Sequence, residues 1–220
     1  MQTLSRPLAT LSRLRERGWG RGIIKGKNMA AKPGERKLQI LQTVAQMLEQ
    51  PKGEKITTAA LAARLDLSEA ALYRHFASKA QMFEGLIEFI EQTVFGLINK
   101  ITQEEKSGVK QIEAIVSMLL NFAQKNRGMT RVLIGDALVN ENERLQQRIN
   151  QLLDRIEATL KQSLRMAATQ GELGEAVDVG AHANLLVCYV IGRWTQFAKS
   201  GFTREPMEQL QAQLGILLRK

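Results

Sequence analysis

Between Tyr73 and Lys79 the chain places a phenol, a guanidinium, an imidazole and an ammonium, on Tyr73, Arg74, His75 and Lys79. Each can donate a hydrogen bond to a phosphate oxygen. Upstream, Thr57 and Thr58 add hydroxyls, Ser68, Glu69 and Ala70 are candidates for the face near DNA, and the small Ala70 and Ala71 let a backbone approach closely. Residues of these types at this spacing suit a short helix entering a DNA groove, with the hydroxyls, phenol and cations on phosphates. The stretch is poor in Arg, Lys, Asn and Gln, so few side chains are left to read base edges. One copy should bind modestly and two copies on one duplex well. Plainer roles stay open: Tyr73 packing across a helix junction, His75 pairing with a local helix end, Arg74 and Lys79 as solvated charges.

These groups need helices to position them. Glu35 to Glu49 carries Leu38, Leu41, Val44, Ala45 and Leu48 at three- and four-residue spacing, an amphipathic helix that Pro51-Lys52-Gly53 ends. Thr57 or Thr58 can cap a second helix bearing Ala59, Leu61, Ala62 and Leu65. Asp66 occupies the turn, where Asp tolerates a left-handed backbone. Ser68 caps a third helix that runs to Phe76, with Glu69 in its first turn and Leu72 and Phe76 facing the core. Ser78 caps a long fourth helix from Lys79 to about Ile101.

Further helices are expected at 109–126, 127–139, 144–168, 179–200 and 206–218, with Pro206 in a first turn, and there is no strand signal. The fold class is therefore all-α: a three-helix helix-turn-helix module at 35–80, followed by a larger helical bundle at 81–220. Residues 1–34 read as a disordered basic arm or as a mis-assigned upstream extension, since Met29-Ala30-Ala31-Lys32 would make an ordinary start.

Charge follows the same division. The chain has 31 Lys and Arg against 22 Asp and Glu, yet residues 1–37 hold ten of the basic and two of the acidic ones. The remainder is almost neutral, which favours paired recognition over a broad electrostatic coat. One cysteine, Cys188, excludes an internal disulfide framework, and its apolar run LLVCYVIG predicts burial. No run approaches 18 uncharged apolar residues and no secretory signal is recognisable, so an intracellular, reduced protein is expected. No nucleophile–base–acid set, glycine-rich phosphate loop or metal cluster points to an enzyme, and no cofactor is expected. Glu141, Glu143, Asp154 and Glu157 read as solvated carboxylates, with Glu157 four before Lys161.

The pattern Thr57, Leu61-Ala62, Leu65, Leu67-Ser68, Leu72-Tyr73, His75-Phe76 and Lys79 resembles the TetR family, with Asp66 where the usual turn glycine stands. Along SEAALYRHFASK, MFEGLIEFIEQT and RVLIGDALVNENERLQQRINQLLDRIEATLKQ the chain resembles the branch of that family that acts in nucleoid occlusion. That resemblance implies a cytoplasmic, nucleoid-associated homodimer on palindromic double-stranded DNA. It also implies a surface around the fourth and fifth helices for the C-terminal tail of the division protein FtsZ. Carried onto this chain, the surface comprises Phe89, Met118, Asn121, Lys125 and Asn126; Phe89 and Met118 could equally be internal contacts.

Dimerisation also suits the spacing of half-sites on an inverted repeat. The last two helices offer Leu185, Leu186, Tyr189, Val190, Trp194 and Phe197, with Leu210, Leu214 and Leu217. Some of these must serve the chain's own core instead. The rival reading is a repressor controlled by a small-molecule effector, with Asn184, Arg193, Trp194 and Gln196 lining a pocket.

Overall fold

Three successive hydroxyl caps build the N-terminal part of the chain. In the computed structural model, which describes residues 33–50, 56–174 and 177–218, helix α1 spans Pro33–Leu48 and opens on a proline, whose fixed φ suits a first turn. Of the basic arm expected over 1–34, the last two residues open α1 instead, and residues 1–32, with the Met29 start, lie outside the described residues, as does the Pro51-Lys52-Gly53 stop. Helix α2 (Thr58–Arg64) is capped by Thr57, whose hydroxyl accepts from the Ala60 N–H at 3.1 Å. Helix α3 (Glu69–Tyr73) is capped by Ser68 and helix α4 (Lys79–Glu104) by Ser78, each accepting from the N–H three residues on.

Between α2 and α3, Asp66 adopts a φ of 53°. The Leu67 N–H reaches the Ala62 carbonyl and the Asp66 N–H the Ala63 carbonyl, which closes α2 with a left-handed residue at the position glycine usually fills. Helix α3 is shorter than expected. Its α-turns end at Tyr73, and the chain reaches Phe76 through a tight turn on the Leu72 carbonyl. Leu72 and Phe76 are buried, and Phe76 seats α3 against α1 and α4: a Cβ on Gly85 would lie 3.3 Å from both Leu41 and Phe76.

The larger part contains α5 (Gly108–Lys125), α6 (Arg127–Leu133), α7 (Glu143–Thr169), α8 (Val179–Lys199) and α9 (Leu210–Leu217). Helices α4, α5 and α8 pack around α7, and the described residues contain no strand. The single helix expected over 127–139 is broken: Gly135 turns left-handed at φ 76°, and a 3-10 turn, Asp136–Leu138, follows. The last helix begins at Leu210 rather than Pro206, because Arg193 draws the carbonyls of Glu205, Pro206 and Glu208 onto its guanidinium and holds that segment as turns.

Two close approaches lock the bundle. At Gly108 a Cβ would lie 2.3 Å from the Ala167 nitrogen, so α5 starts directly against the end of α7. There Gln170 and Glu172 accept from the Gly108 and Val109 N–H groups, and hydrogen bonds from Ser107 and Val109 hold the Glu172 carboxyl below the usual range. Gly128 lies against the backbone of Ala45, which joins α6 to α1 and hence the body to the N-terminal module.

Candidate nucleic-acid interface and partner surfaces

Helices α2 and α3 are tied on their exposed side by a short polar chain. The Thr58 hydroxyl donates to the Glu69 carboxylate at 2.7 Å, and the Tyr73 hydroxyl points at Thr58 Oγ1 from 3.5 Å. Glu69 therefore braces the two helices and satisfies the α3 dipole, although its charge opposes phosphate. Tyr73 is 44% exposed, and with only a long internal contact its hydroxyl is available to an outside acceptor. Ala70 and Arg74 are exposed, His75 is half-buried, and Arg74 closes α3 as its C-cap.

The structure thus brings Thr57, Thr58, Ser68, Glu69, Ala70, Tyr73 and Arg74 onto the exposed parts of two adjoining helices. Lys79 is placed differently. Its ammonium meets the Glu141 carboxylate and lies 5.7 Å from the centre of the Phe83 ring. Glu141, expected as a solvated carboxylate, is instead half-buried in an ion pair, because the α6–α7 connection brings it to the start of α4. Glu157 does pair with Lys161, at 2.8 Å.

Around α4 and α5, Phe89 is half-buried against the core, Met118 and Asn121 are buried, Lys125 is exposed and Asn126 is half-buried. Asn126 spends its amide on the Phe122 carbonyl, joining α5 to α6. The Asn121 side chain is 8% exposed, and its Nδ2 has no hydrogen-bond partner in the chain. A buried donor left unmade costs about 1–3 kcal/mol, and because Asn121 Nδ2 is out of contact with solvent the cost is borne inside the bundle.

The last two helices now divide between core and surface. Leu186, Val190, Trp194, Phe197, Leu210 and Leu214 are all buried within the chain itself, and Trp194 donates to the Leu119 carbonyl at 3.2 Å. Tyr189 and Leu217 are half-buried, the Tyr189 hydroxyl bonding Gln213 at 2.7 Å. What faces outward is Leu185 at 51% and Ile216 at 63% exposure, with Cys188, Gly192 and Gly215. Cys188 is therefore exposed where burial was expected: the run LLVCYVIG is apolar all round, and the helix turns Leu186, Val187 and Val190 inward and Leu185 and Cys188 outward. Leu185, Cys188 and Gly192 share one face of α8, and residue types alone did not single it out.

The four side chains considered for an effector pocket are engaged elsewhere. Trp194 is in the core, Arg193 holds the turn before α9 and also meets Gln196 at 3.3 Å, and Asn184 donates to Glu157 at 3.2 Å. Among the described residues no group of three or more His, Cys, Asp or Glu side chains could hold a metal.

Residues 46–86 match bacterial regulatory proteins of the tetR family, and residues 106–220 match the tetracyclin repressor-like C-terminal domain. The chain is 50% identical over 184 residues to the nucleoid occlusion factor SlmA of Alteromonas mediterranea, covering 84% of this chain and 94% of that one. It is 50% identical over 189 residues to SlmA of a Marinomonas species, covering 86% and 96%. Among solved structures, the fatty acid degradation regulator FadR of Bacillus halodurans has a TM-score of 0.71 at 16% identity, covering 86% of this chain and 97% of that one. At that identity the likeness is one of fold.

Proposed function

The chain belongs to the SlmA group of the TetR family, and on that footing we propose that it is a nucleoid occlusion factor that DNA delivers to the division machinery. As a TetR-family regulator it is a DNA-binding protein and not an enzyme. It acts as a homodimer on inverted-repeat chromosomal sites and, from there, antagonises FtsZ assembly. The observation that carries this reading is the identity to nucleoid occlusion factors over nearly their whole length, helix-turn-helix and body together.

Each step has support in the chain. Thr57, Thr58, Tyr73 and Arg74 offer phosphate donors around α3, while Ser68 and Ala70 allow close approach to the groove. The exposed apolar face of Leu185 and Ile216, flanked by glycines, suits a second copy of the chain, and a twofold pair reads an inverted repeat. The FtsZ tail is assigned to the surface at α4 and α5, where half-buried Phe89 offers an apolar contact and exposed Lys125 a charge. A nucleoid-associated place in the cytoplasm follows from this reading; no described helix is long and apolar enough to cross a membrane.

Light scattering of FtsZ polymers tests the function. Polymer signal should fall when the protein is added with a duplex carrying its inverted repeat, and fall less with a scrambled duplex. Polymers untouched in both mixtures would contradict it.

A further inference from the structure

One ion pair spans the exit of the helix-turn-helix and the body. Lys79 is the first residue of α4, at the positive end of the helix dipole, where a cation is disfavoured unless an anion accompanies it. The accompanying anion comes from 62 positions away: the Glu141 carboxylate takes the Lys79 ammonium, with the two side chains 23% and 16% exposed. Glu141 is held there by its backbone. Asn140 before it is left-handed at φ 65°, and the Glu141 N–H bonds the Leu138 carbonyl at 2.9 Å.

We propose that Glu141 is an internal competitor of DNA: it occupies the Lys79 ammonium in the DNA-free chain, and a backbone phosphate takes its place on binding. The proposal rests on the helix-turn-helix reading and adds a residue to it. Lys79 follows Tyr73 by six positions, so a duplex lying on α3 brings phosphates close to the α4 terminus. A phosphate there satisfies the same dipole and the same cation, and it repels the carboxylate it displaces. Partly exposed ion pairs are weak enough to exchange in this way. The other nearby carboxylates are not equivalent: Asp136 is committed to Arg131 and Lys199, and Glu143 is exposed in the first turn of α7.

The test is fluorescence anisotropy of the full chain on a labelled duplex carrying the inverted repeat that the protein selects from a random pool. Glu141→Gln, nearly isosteric, should tighten binding by roughly three- to tenfold per dimer. Glu143→Gln, which removes the same charge two positions on, should change it by less than about twofold. In a Lys79→Ala background the gain from Glu141→Gln should vanish. Binding by Glu141→Gln no tighter than wild type, or a gain that persists without Lys79, overturns the proposal. Should Glu141→Gln not fold, the NMR signal of the labelled Lys79 side chain in the wild type replaces it: the signal should move on DNA addition, and an unmoved signal overturns the proposal. Tyr73→Ala separates the two levels. Weakened binding there with no effect of Glu141→Gln removes only the competition, whereas unchanged binding removes the helix-turn-helix contact on which it rests.

Discussion

Gly128→Ala is expected to destabilise the protein by about 2–3 kcal/mol, a fall in Tm of roughly 4–12 °C for a chain of this size. The added Cβ would lie 1.9 Å from the Ala45 carbonyl oxygen and 3.1 Å from Leu48 Cβ. Neither α1 nor α6 can yield by moving a side chain, because the obstructing atoms include backbone. The helix-propensity gain from glycine to alanine, up to about 1 kcal/mol, offsets only part of the cost. Gly96→Ala is the control: nothing lies within 4 Å of its Cβ position, so only the propensity gain should remain. Thermal unfolding of the two variants decides the matter. A Gly128→Ala protein as stable as wild type would mean that α1 and α6 are not in direct backbone contact. Because that contact seats the N-terminal module on the body, DNA affinity should fall with stability in this variant.

The second large effect is on DNA alone. Tyr73→Ala should weaken binding to an inverted-repeat duplex by roughly 30- to 150-fold, from about 1–1.5 kcal/mol lost in each of two protomers. Tm should hardly change, since the ring is 44% exposed and its hydroxyl makes only a 3.5 Å internal contact. Tyr73→Phe should reproduce most of the loss, because it is the phenol that meets the phosphate. Anisotropy titrations over a salt series check this. Unchanged affinity would take Tyr73 off the contact surface.

Where the fold was legible, the signal was local. Thr57, Ser68 and Ser78 cap their helices through N–H groups three residues away, and Asp66 turns the chain within one residue, so each is visible in a short window. Long-range features left no such trace. Nothing in the sequence ties Glu141 to Lys79, Gly128 to Ala45, or Arg193 to the carbonyls that delay α9. Helix α8 failed for a different reason. Apolar side chains surround it, so periodicity does not fix its rotation, and Cys188 and Leu185 went to the surface while Leu186 and Trp194 went to the core. The expected partner surface at α4 and α5 shows the same limit: the residue type at Met118 fits an internal place as well as the surface, but nothing at Asn121 announces burial or an unpaired amide.

The central claim is that one chain joins a DNA address to a division partner. Its most direct measurement is titration of a fluorescent FtsZ C-terminal tail peptide with the full-length protein, alone and loaded with its inverted-repeat duplex. Saturable binding is predicted, tighter in the DNA-loaded state and reduced by Lys125→Ala, whose side chain is exposed at the end of α5. No detectable binding of the peptide in either state would contradict the account.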